Sequence, residues 1–137
     1  PVAAPAAPRP AAAPPAPDAE GMARILDSLA AQVIVTDRDG RCLYANAAFA
    51  VSLGARPEAL LGERPVDLLG EARGERSWAA DLAVLASGTP LPPYREDAVG
   101  GVLLTSKAPL RDSSGEVTAV ITTSIPLVAP AEPERER

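Results

Sequence analysis

The stretch VIVTDRDGRCLYANAAFAVSLG, residues 33–54, decides the fold of this 137-residue chain. Two short apolar runs, residues 33–37 and 42–45, flank the polar sequence RDGR at residues 38–41. An Asp-Gly pair between two β-rich runs is typical of a tight hairpin turn. The stretch therefore predicts an antiparallel β-hairpin near the start of the folded part of the chain.

Asn46 follows the second of these runs directly and precedes the helix-favouring sequence of residues 47–53. An asparagine at this position can accept a hydrogen bond from a backbone N–H two or three residues further on, which makes it a helix N-cap. Gly54 then provides a natural end to the helix. Capping is the favoured role for Asn46, and contact with a ligand is the alternative.

A second hairpin is predicted from LLTSKAPLRDSSGEVTAVITTSI, residues 103–125. Its strands cover about residues 102–109 and 117–125, separated by a polar turn with Gly115. A further strand is expected at residues 94–98, and Gly100-Gly101 would form the turn that joins it to the next strand.

Helical sequence fills the space between the two hairpins. Pro57 and Pro65 each suit the first turn of a short helix, because proline lacks the N–H that this position leaves unused. A longer helix follows, with Trp78, Leu82 and Leu85 as its expected apolar face and Gly88 as its end.

The segment from Glu20 to Ala31 is also expected to be helical. Met22, Ile25, Leu26 and Leu29 recur at a spacing of three and four residues and so lie on one face. We expect this face to pack on the domain's own sheet, and a role in dimerisation is the alternative.

The order of hairpin, helices and hairpin resembles the PAS superfamily of sensory domains over about residues 25–127. The resemblance implies an α+β fold, in which a five-stranded antiparallel sheet carries helices over one face and the first two strands are central. We accordingly assign residues 21–128 to a bacterial-type sensory or regulatory PAS domain. Residues 1–20, which begin with a proline- and alanine-rich run, are predicted to be a disordered linker, and residues 129–137 a charged flexible tail.

Composition limits the remaining function classes. The net charge is −5 with acids and bases interspersed, so the basic face that nucleic acid binding needs is not expected. No apolar run approaches the roughly 18 residues of a membrane span. A single cysteine, Cys42, excludes an internal disulfide and is compatible with a reducing compartment. We therefore expect a soluble, cytoplasmic domain.

Enzymatic and cofactor chemistry are not expected either. The chain has no histidine, so its serines and Cys42 lack the usual proton acceptor, and haem lacks its usual ligand. Ser106 and Lys107 are neighbours on one strand and point to opposite faces. In flavin-binding PAS domains with a photoactive cysteine, the segment that resembles residues 62–69 carries that cysteine where this chain has Pro65. We predict a non-enzymatic domain without a cofactor.

A candidate ligand site follows from the same resemblance. Alignment with flavin-binding PAS domains places Thr105, Lys107 and Ser124 on the side of the sheet that faces the helices, where such domains form a cup. Thr122 is assigned to the same side, with Trp78 and Leu82 as an apolar wall. Periodicity alone would instead turn Ala119, Ile121 and Ile125 inward. We follow the alignment, and expect any ligand to be small and either polar or anionic.

Lys107 has two alternative positions. Its charge can extend to the rim of the cup and stay in water, or it can lie inside with an anion or a carboxylate. In the second case, replacing Lys107 with Met should abolish binding of an anionic ligand without lowering stability.

The expected function is that of a regulatory PAS domain that binds a small molecule or a partner and passes on a change in packing. A ligand-free dimerisation or docking module is the alternative, and a weak homodimer is expected in either case. Many PAS domains end in an Asp-Ile-Thr motif that leads into a coiled coil. Pro126-Leu127-Val128 stands there instead and Pro130 follows, so the helical relay should be absent or displaced.

Overall fold

The computed structural model describes residues 16–127. Most of the predicted linker and all of the predicted tail, together with Val128 and Pro130, lie outside the described residues. The elements in chain order are α1 (Ala19–Asp27), β1 (Gln32–Asp37), β2 (Cys42–Ala45), α2 (Ala47–Ser52), α3 (Pro57–Leu60), α4 (Pro65–Leu69), α5 (Glu71–Ser87), β3 (Leu91–Ala98), β4 (Gly101–Arg111) and β5 (Val117–Pro126).

The five strands form one antiparallel sheet in the order β2-β1-β5-β4-β3. With α5 packed against β3, β4 and β5, the predicted α+β architecture is confirmed. The expectation that the first two strands are central is wrong for β2, which lies at an edge. β2 pairs only with β1, and β5 returns from the second hairpin to pair with the other side of β1, at the centre of the sheet.

The first hairpin is confirmed, and its turn is closed by Asp37. The Asp37 carboxylate accepts hydrogen bonds from the backbone N–H groups of Asp39 and Arg41, each at 2.9 Å. Gly40 has a φ of 83°, a value that an L side chain adopts only with strain. The Trp78 ring packs directly over this glycine, since a Cβ at Gly40 would lie 2.9 Å from Trp78 Cζ3.

Asn46 caps α2 as predicted and also joins α1 to the sheet. Its side-chain oxygen accepts from Phe49 N at 3.0 Å and from Val33 N at 2.9 Å. Its side-chain nitrogen donates to Leu26 O and Ala31 O, at 3.0 and 2.8 Å. The residue is fully buried, and every polar atom of its amide group has a backbone partner.

The apolar face of α1 does not pack on the sheet of its own chain. Met22, Ile25 and Leu29 are 45%, 50% and 43% exposed, and only Leu26 is half-buried. Polar contacts hold the helix instead, because the Asp27 carboxylate accepts from the Tyr44 hydroxyl and from Ala47 N, at 3.1 and 3.0 Å. The expectation of an intramolecular cap is therefore wrong, and the dimerisation alternative stays a prediction.

A compact apolar core lies between the β1–β2 hairpin and helices α2 and α3. Its buried members are Ile34, Cys42, Ala45, Phe49, Ala50 and Leu60. Within residues 16–127, no helix is both long enough and apolar enough to cross a membrane.

Helix α5 buries a face that the sequence analysis did not identify. Its buried residues are Gly74, Asp81 and Val84, rather than Trp78, Leu82 and Leu85. Gly74 allows α5 to cross α4 closely, since a Cβ there would lie 2.4 Å from Val66 Cα. The helix ends as predicted at Gly88, which adopts the left-handed conformation.

Candidate functional site

Polar side chains of β4 and β5 line the side of the sheet that faces α5. Thr105, Lys107, Thr122 and Ser124 are at most 8% exposed, and the strand register pairs Thr105 with Ser124 and Lys107 with Thr122. The aligned orientation is therefore confirmed. The orientation from periodicity alone is wrong for Ile125, which is 46% exposed.

The Lys107 ammonium group lies inside the cup and makes three hydrogen bonds. It donates to Asp81 Oδ1 at 2.6 Å, to Thr122 Oγ1 at 2.9 Å and to Ser77 Oγ at 3.1 Å. A lysine ammonium has three donors, so each has an acceptor. The alternative that places this charge at the rim is wrong. The carboxylate that a buried Lys107 requires comes from Asp81 of the same chain, which removes the reason to expect an anion there.

Asp81 is the functional candidate that the sequence analysis missed. The side chains of Asp81 and Lys107 are each 1% exposed. Burial raises the pKa of the Asp81 carboxyl, and the charge of Lys107 opposes that rise. The signal in the sequence was the spacing of Ser77 and Asp81, which puts both on the helix face that also carries Gly74 and Val84.

A second ion pair lies beside the first. Arg73 Nε donates to Glu96 Oε1 at 2.7 Å, and the two side chains are 15% and 10% exposed. Thr105 Oγ1 donates to Glu96 Oε2 at 2.7 Å and lies 2.9 Å from Ser124 Oγ. Because the single Thr105 proton is used by Glu96, Ser124 must donate to Thr105. We call the two ion pairs and their hydroxyl partners the α5–sheet network: Arg73, Ser77, Asp81, Glu96, Thr105, Lys107, Thr122 and Ser124.

The α5–sheet network leaves little free space in the cup. The cavity beside it has a volume of about 20 Å³, which is room for about one water molecule. Thr36 Oγ1 is buried there without a hydrogen-bond partner of ordinary length, although its hydroxyl is near enough to help lower the pKa of Asp81. Protein side chains thus fill the inner cup and leave no room for an organic molecule.

A much larger pocket opens at the mouth of the cup. Its volume is about 750 Å³, and it lies between the α4–α5 junction and the turn that joins β3 to β4. Leu53, Leu69 and Leu103 contribute apolar surface, and Arg76 lines the same space. Arg73 borders both this mouth pocket and the inner cavity, so the Arg73–Glu96 pair lies between the two spaces.

Trp78 and Leu82 do not form the predicted apolar wall. Trp78 is half-buried over Gly40, and Leu82 is 46% exposed. Neither residue lines the inner cavity or the mouth pocket. The large apolar residues of α5 lie outside the cup because small and polar residues occupy its inner face.

The described residues contain no cluster of histidine, cysteine and acidic side chains that could hold a metal ion. Cys42 is buried, and burial raises the pKa of its thiol to about 11, against the opposing effect of a backbone hydrogen bond from Tyr44. A thiol with such a pKa is a poor nucleophile at neutral pH. The contacts that the α5–sheet network does make are hydrogen bonds and ion pairs.

Comparison with known proteins gives one matching family. The family model for the PAS fold matches residues 26–129. No curated protein sequence matches the chain.

Several solved structures have a similar fold. A VqmA dimer from Vibrio cholerae matches with a TM-score of 0.69 at 20% identity, over 78% of this chain and 50% of that one. The PAS domain of a Colwellia psychrerythraea protein matches with a TM-score of 0.63 at 14% identity, over 79% and 95%. The PAS domain of the histidine kinase ThkA matches with a TM-score of 0.60 at 21% identity, over 69% and 97%. The chain thus spans about half the length of the VqmA chains that it matches.

Proposed function

The chain belongs to the PAS fold family, and from this membership we propose that it is a non-enzymatic sensory or regulatory domain. Binding of a small molecule or a partner changes the packing of α5 on the sheet. It also changes the packing of the two domains of a homodimer against each other. The proposal also places the domain in the cytoplasm, where the buried thiol of Cys42 stays reduced.

One observation carries this proposal, namely the buried Lys107–Asp81 pair between α5 and the sheet. An ion pair in a protein interior is held against a desolvation cost, so it is stable only while both partners are in place. When α5 moves away from the sheet, the Lys107–Asp81 pair breaks all at once. The packing of α5 on the sheet therefore has two discrete states, with the pair formed or broken, rather than a continuous range of positions. A ligand shifts such an equilibrium by its difference in affinity for the two arrangements.

Structural relatives support a regulatory role of this kind. VqmA has been solved bound to DPO and in a complex with a ligand and DNA, and the ThkA domain belongs to a histidine kinase. We propose that Thr105, Lys107, Thr122 and Ser124 form the wall that a guest of the cup would meet. Because the cavity is only about 20 Å³, such a guest must first separate α5 from the sheet.

The filled cup also favours a second candidate function, that of a ligand-free dimerisation or docking module. The sheet face opposite α5 carries apolar side chains, among them Leu104, Ile121 and the 46% exposed Ile125. The exposed face of α1 adds further apolar surface. A module of this kind would act through these surfaces and keep its cup permanently closed.

Native mass spectrometry of the full chain as purified, combined with hydrogen exchange, tests the sensory proposal. We expect a stoichiometric non-covalent adduct that is lost on denaturation, and faster exchange of the α5 amides once it is removed. A guest-free chain whose α5 exchange does not respond to the small-molecule fraction of a cell extract would overturn this proposal in favour of the docking module.

A further inference from the structure

The guanidinium group of Arg73 has donors that no group of the described residues uses. Glu96 accepts from Arg73 Nε, and within residues 16–127 no acceptor bonds to its two terminal nitrogens. Those nitrogens carry four N–H groups in a planar arrangement. The side chain is only 15% exposed, but neither terminal nitrogen is fully buried, so an acceptor in the mouth pocket can reach these donors.

Arg76 lies one helical turn from Arg73 and lines the same pocket. Its side chain is exposed, and it has no ion-pair or hydrogen-bond partner among the described residues. Two arginines at this spacing lie on one side of the helix. Together they place two cationic groups beside the apolar surface of Leu53, Leu69 and Leu103.

We propose that the mouth pocket binds a small carboxylate with an apolar body, with its carboxylate on the terminal nitrogens of Arg73 and beside Arg76. This inference rests on the proposed sensory function and adds a ligand class and a binding place at the mouth of the cup, apart from the inner wall proposed above. A planar carboxylate matches the arginine fork with two parallel hydrogen bonds. The pocket volume of about 750 Å³ lies within the range of small-molecule sites.

The other charges of the pocket restrict the ligand further. Glu71 and Asp97 also line it and are exposed, so the lining as a whole does not attract anions by net charge. Directional bonds from Arg73 and burial of an apolar body must supply the affinity. A compact inorganic anion is therefore a poorer ligand than an aromatic acid.

Binding at Arg73 connects the pocket to the α5–sheet network. Glu96 accepts from both Arg73 and Thr105, and Thr105 in turn contacts Ser124 of β5. A ligand carboxylate near Arg73 competes with Glu96 for the same cation. The Arg73–Glu96 contact is therefore the first to change. Glu96 connects it, through Thr105 and Ser124, to β5, the central strand of the sheet.

The test is titration of the full ¹⁵N-labelled chain with 1-naphthylacetate and, separately, with 1-naphthylacetamide, which has a similar shape and no charge. We expect saturable shifts at the Arg73 Nε–H group and at residues 98–101 with the acid, and at least about tenfold weaker binding of the amide. Equal binding of acid and amide, or the absence of saturable shifts at these positions, would overturn the proposal.

Three variants locate the site. Arg73→Lys keeps the charge but loses the fork, so affinity for the acid should fall about tenfold. Arg76→Gln, at an exposed position that does not put the fold at risk, should weaken binding severalfold. Glu96→Gln keeps an acceptor for Arg73 but removes the competing charge, so binding should become tighter. Unchanged affinity in Arg76→Gln and Glu96→Gln would refute the site even if Arg73→Lys fails to fold.

This experiment is independent of the test for sensory function. A guest found by native mass spectrometry in a chain that ignores naphthylacetate would overturn the mouth site alone. Naphthylacetate binding that leaves α5 exchange unchanged would instead support the site and count against the relay.

Discussion

Lys107 Nζ lies 2.6 Å from Asp81 Oδ1, and both side chains are 1% exposed. The contact joins the middle of α5 to β4, and Thr122 Oγ1 extends it to β5 at 2.9 Å. A single charged pair thus links the helix to two of the three strands on which it packs. The side chains of this pair occupy the inside of the cup between α5 and the sheet. Breaking the pair by mutation should therefore have a large effect on the stability of the domain.

Replacing Lys107 with Met should destabilise the domain by about 3–5 kcal/mol, since it leaves Asp81 buried without its partner. This reverses the expectation from sequence, which did not assign the accompanying carboxylate to a residue of this chain. The double variant Lys107→Met/Asp81→Leu removes both charges and should recover most of the loss. Urea unfolding followed by circular dichroism measures both, and a Lys107→Met chain as stable as wild type would contradict the role of the pair.

Local signals explain which parts of the fold could be predicted. The Asp37–Gly40 turn and the Asn46 cap depend on hydrogen bonds within a few residues, so the sequence alone identifies them. The inward orientation of Thr105 and Lys107 follows from strand alternation once the family alignment fixes the register. These features were predicted correctly.

Tertiary packing decided the features that were predicted incorrectly. The large apolar residues of α5 predict a buried face at Leu82, yet Leu82 is exposed and Asp81 is buried, because the sheet opposite the helix is itself polar. The edge position of β2 depends on where the distant strand β5 pairs. The pattern of apolar residues indicates neither relationship, which is why Asp81 and the Arg73–Glu96 pair were missed.

Gly74→Ala should destabilise the domain, although alanine favours helix formation by about 1 kcal/mol. The added Cβ would lie 2.4 Å from Val66 Cα, so α4 and α5 must move apart. Differential scanning calorimetry should show a lower melting temperature. Ala79→Gly, at an exposed position of the same helix, is the control that measures the effect of helix propensity alone. A Gly74→Ala variant that melts at a higher temperature than wild type would disprove the close crossing of α4 and α5.

The thiol of Cys42 should react very slowly with a thiol reagent at pH 8. Its pKa of about 11 leaves only about one thiol in a thousand ionised at that pH, and the residue is 2% exposed. Ellman's reagent should therefore modify the folded chain only through opening of the core, and the urea-unfolded chain within minutes. Modification of the native protein at the rate of a free cysteine would show that the β2 region is open.

Asp112 should make the stability of the β4–β5 turn dependent on pH. Hydrogen bonds from Ser114, and from the backbone N–H groups of Ser114 and Glu116, lower the pKa of Asp112 below its ordinary value. Because the pKa of Asp112 is lower in the folded than in the unfolded chain, its carboxylate stabilises the folded state fully above about pH 4. This stabilisation is lost as the pH falls through the folded-state pKa. Wild type should therefore be more stable than Asp112→Asn at pH 7, with the difference closing towards pH 2. A difference that stays constant across this range would argue against an ionised Asp112 in the turn.

Ile25→Glu and Ile125→Glu should each weaken self-association of the full chain. Ile25 is 50% exposed on α1, and Ile125 is 46% exposed on the sheet face opposite α5. Because neither side chain is buried in the single chain, glutamate should leave the fold intact while placing a charge on the apolar surface that a second copy would cover. Burial of an isoleucine is worth about 1.5–3 kcal/mol, so the dimer dissociation constant should rise by roughly ten- to a hundredfold.

Leu82→Glu is the matched control, since Leu82 is also 46% exposed but lies on α5, over the other face of the sheet. Sedimentation velocity over a range of concentrations measures the three variants. A wild-type chain that stays monomeric at several hundred micromolar, or a loss of association in Leu82→Glu equal to that in Ile125→Glu, would show that this surface does not form the dimer.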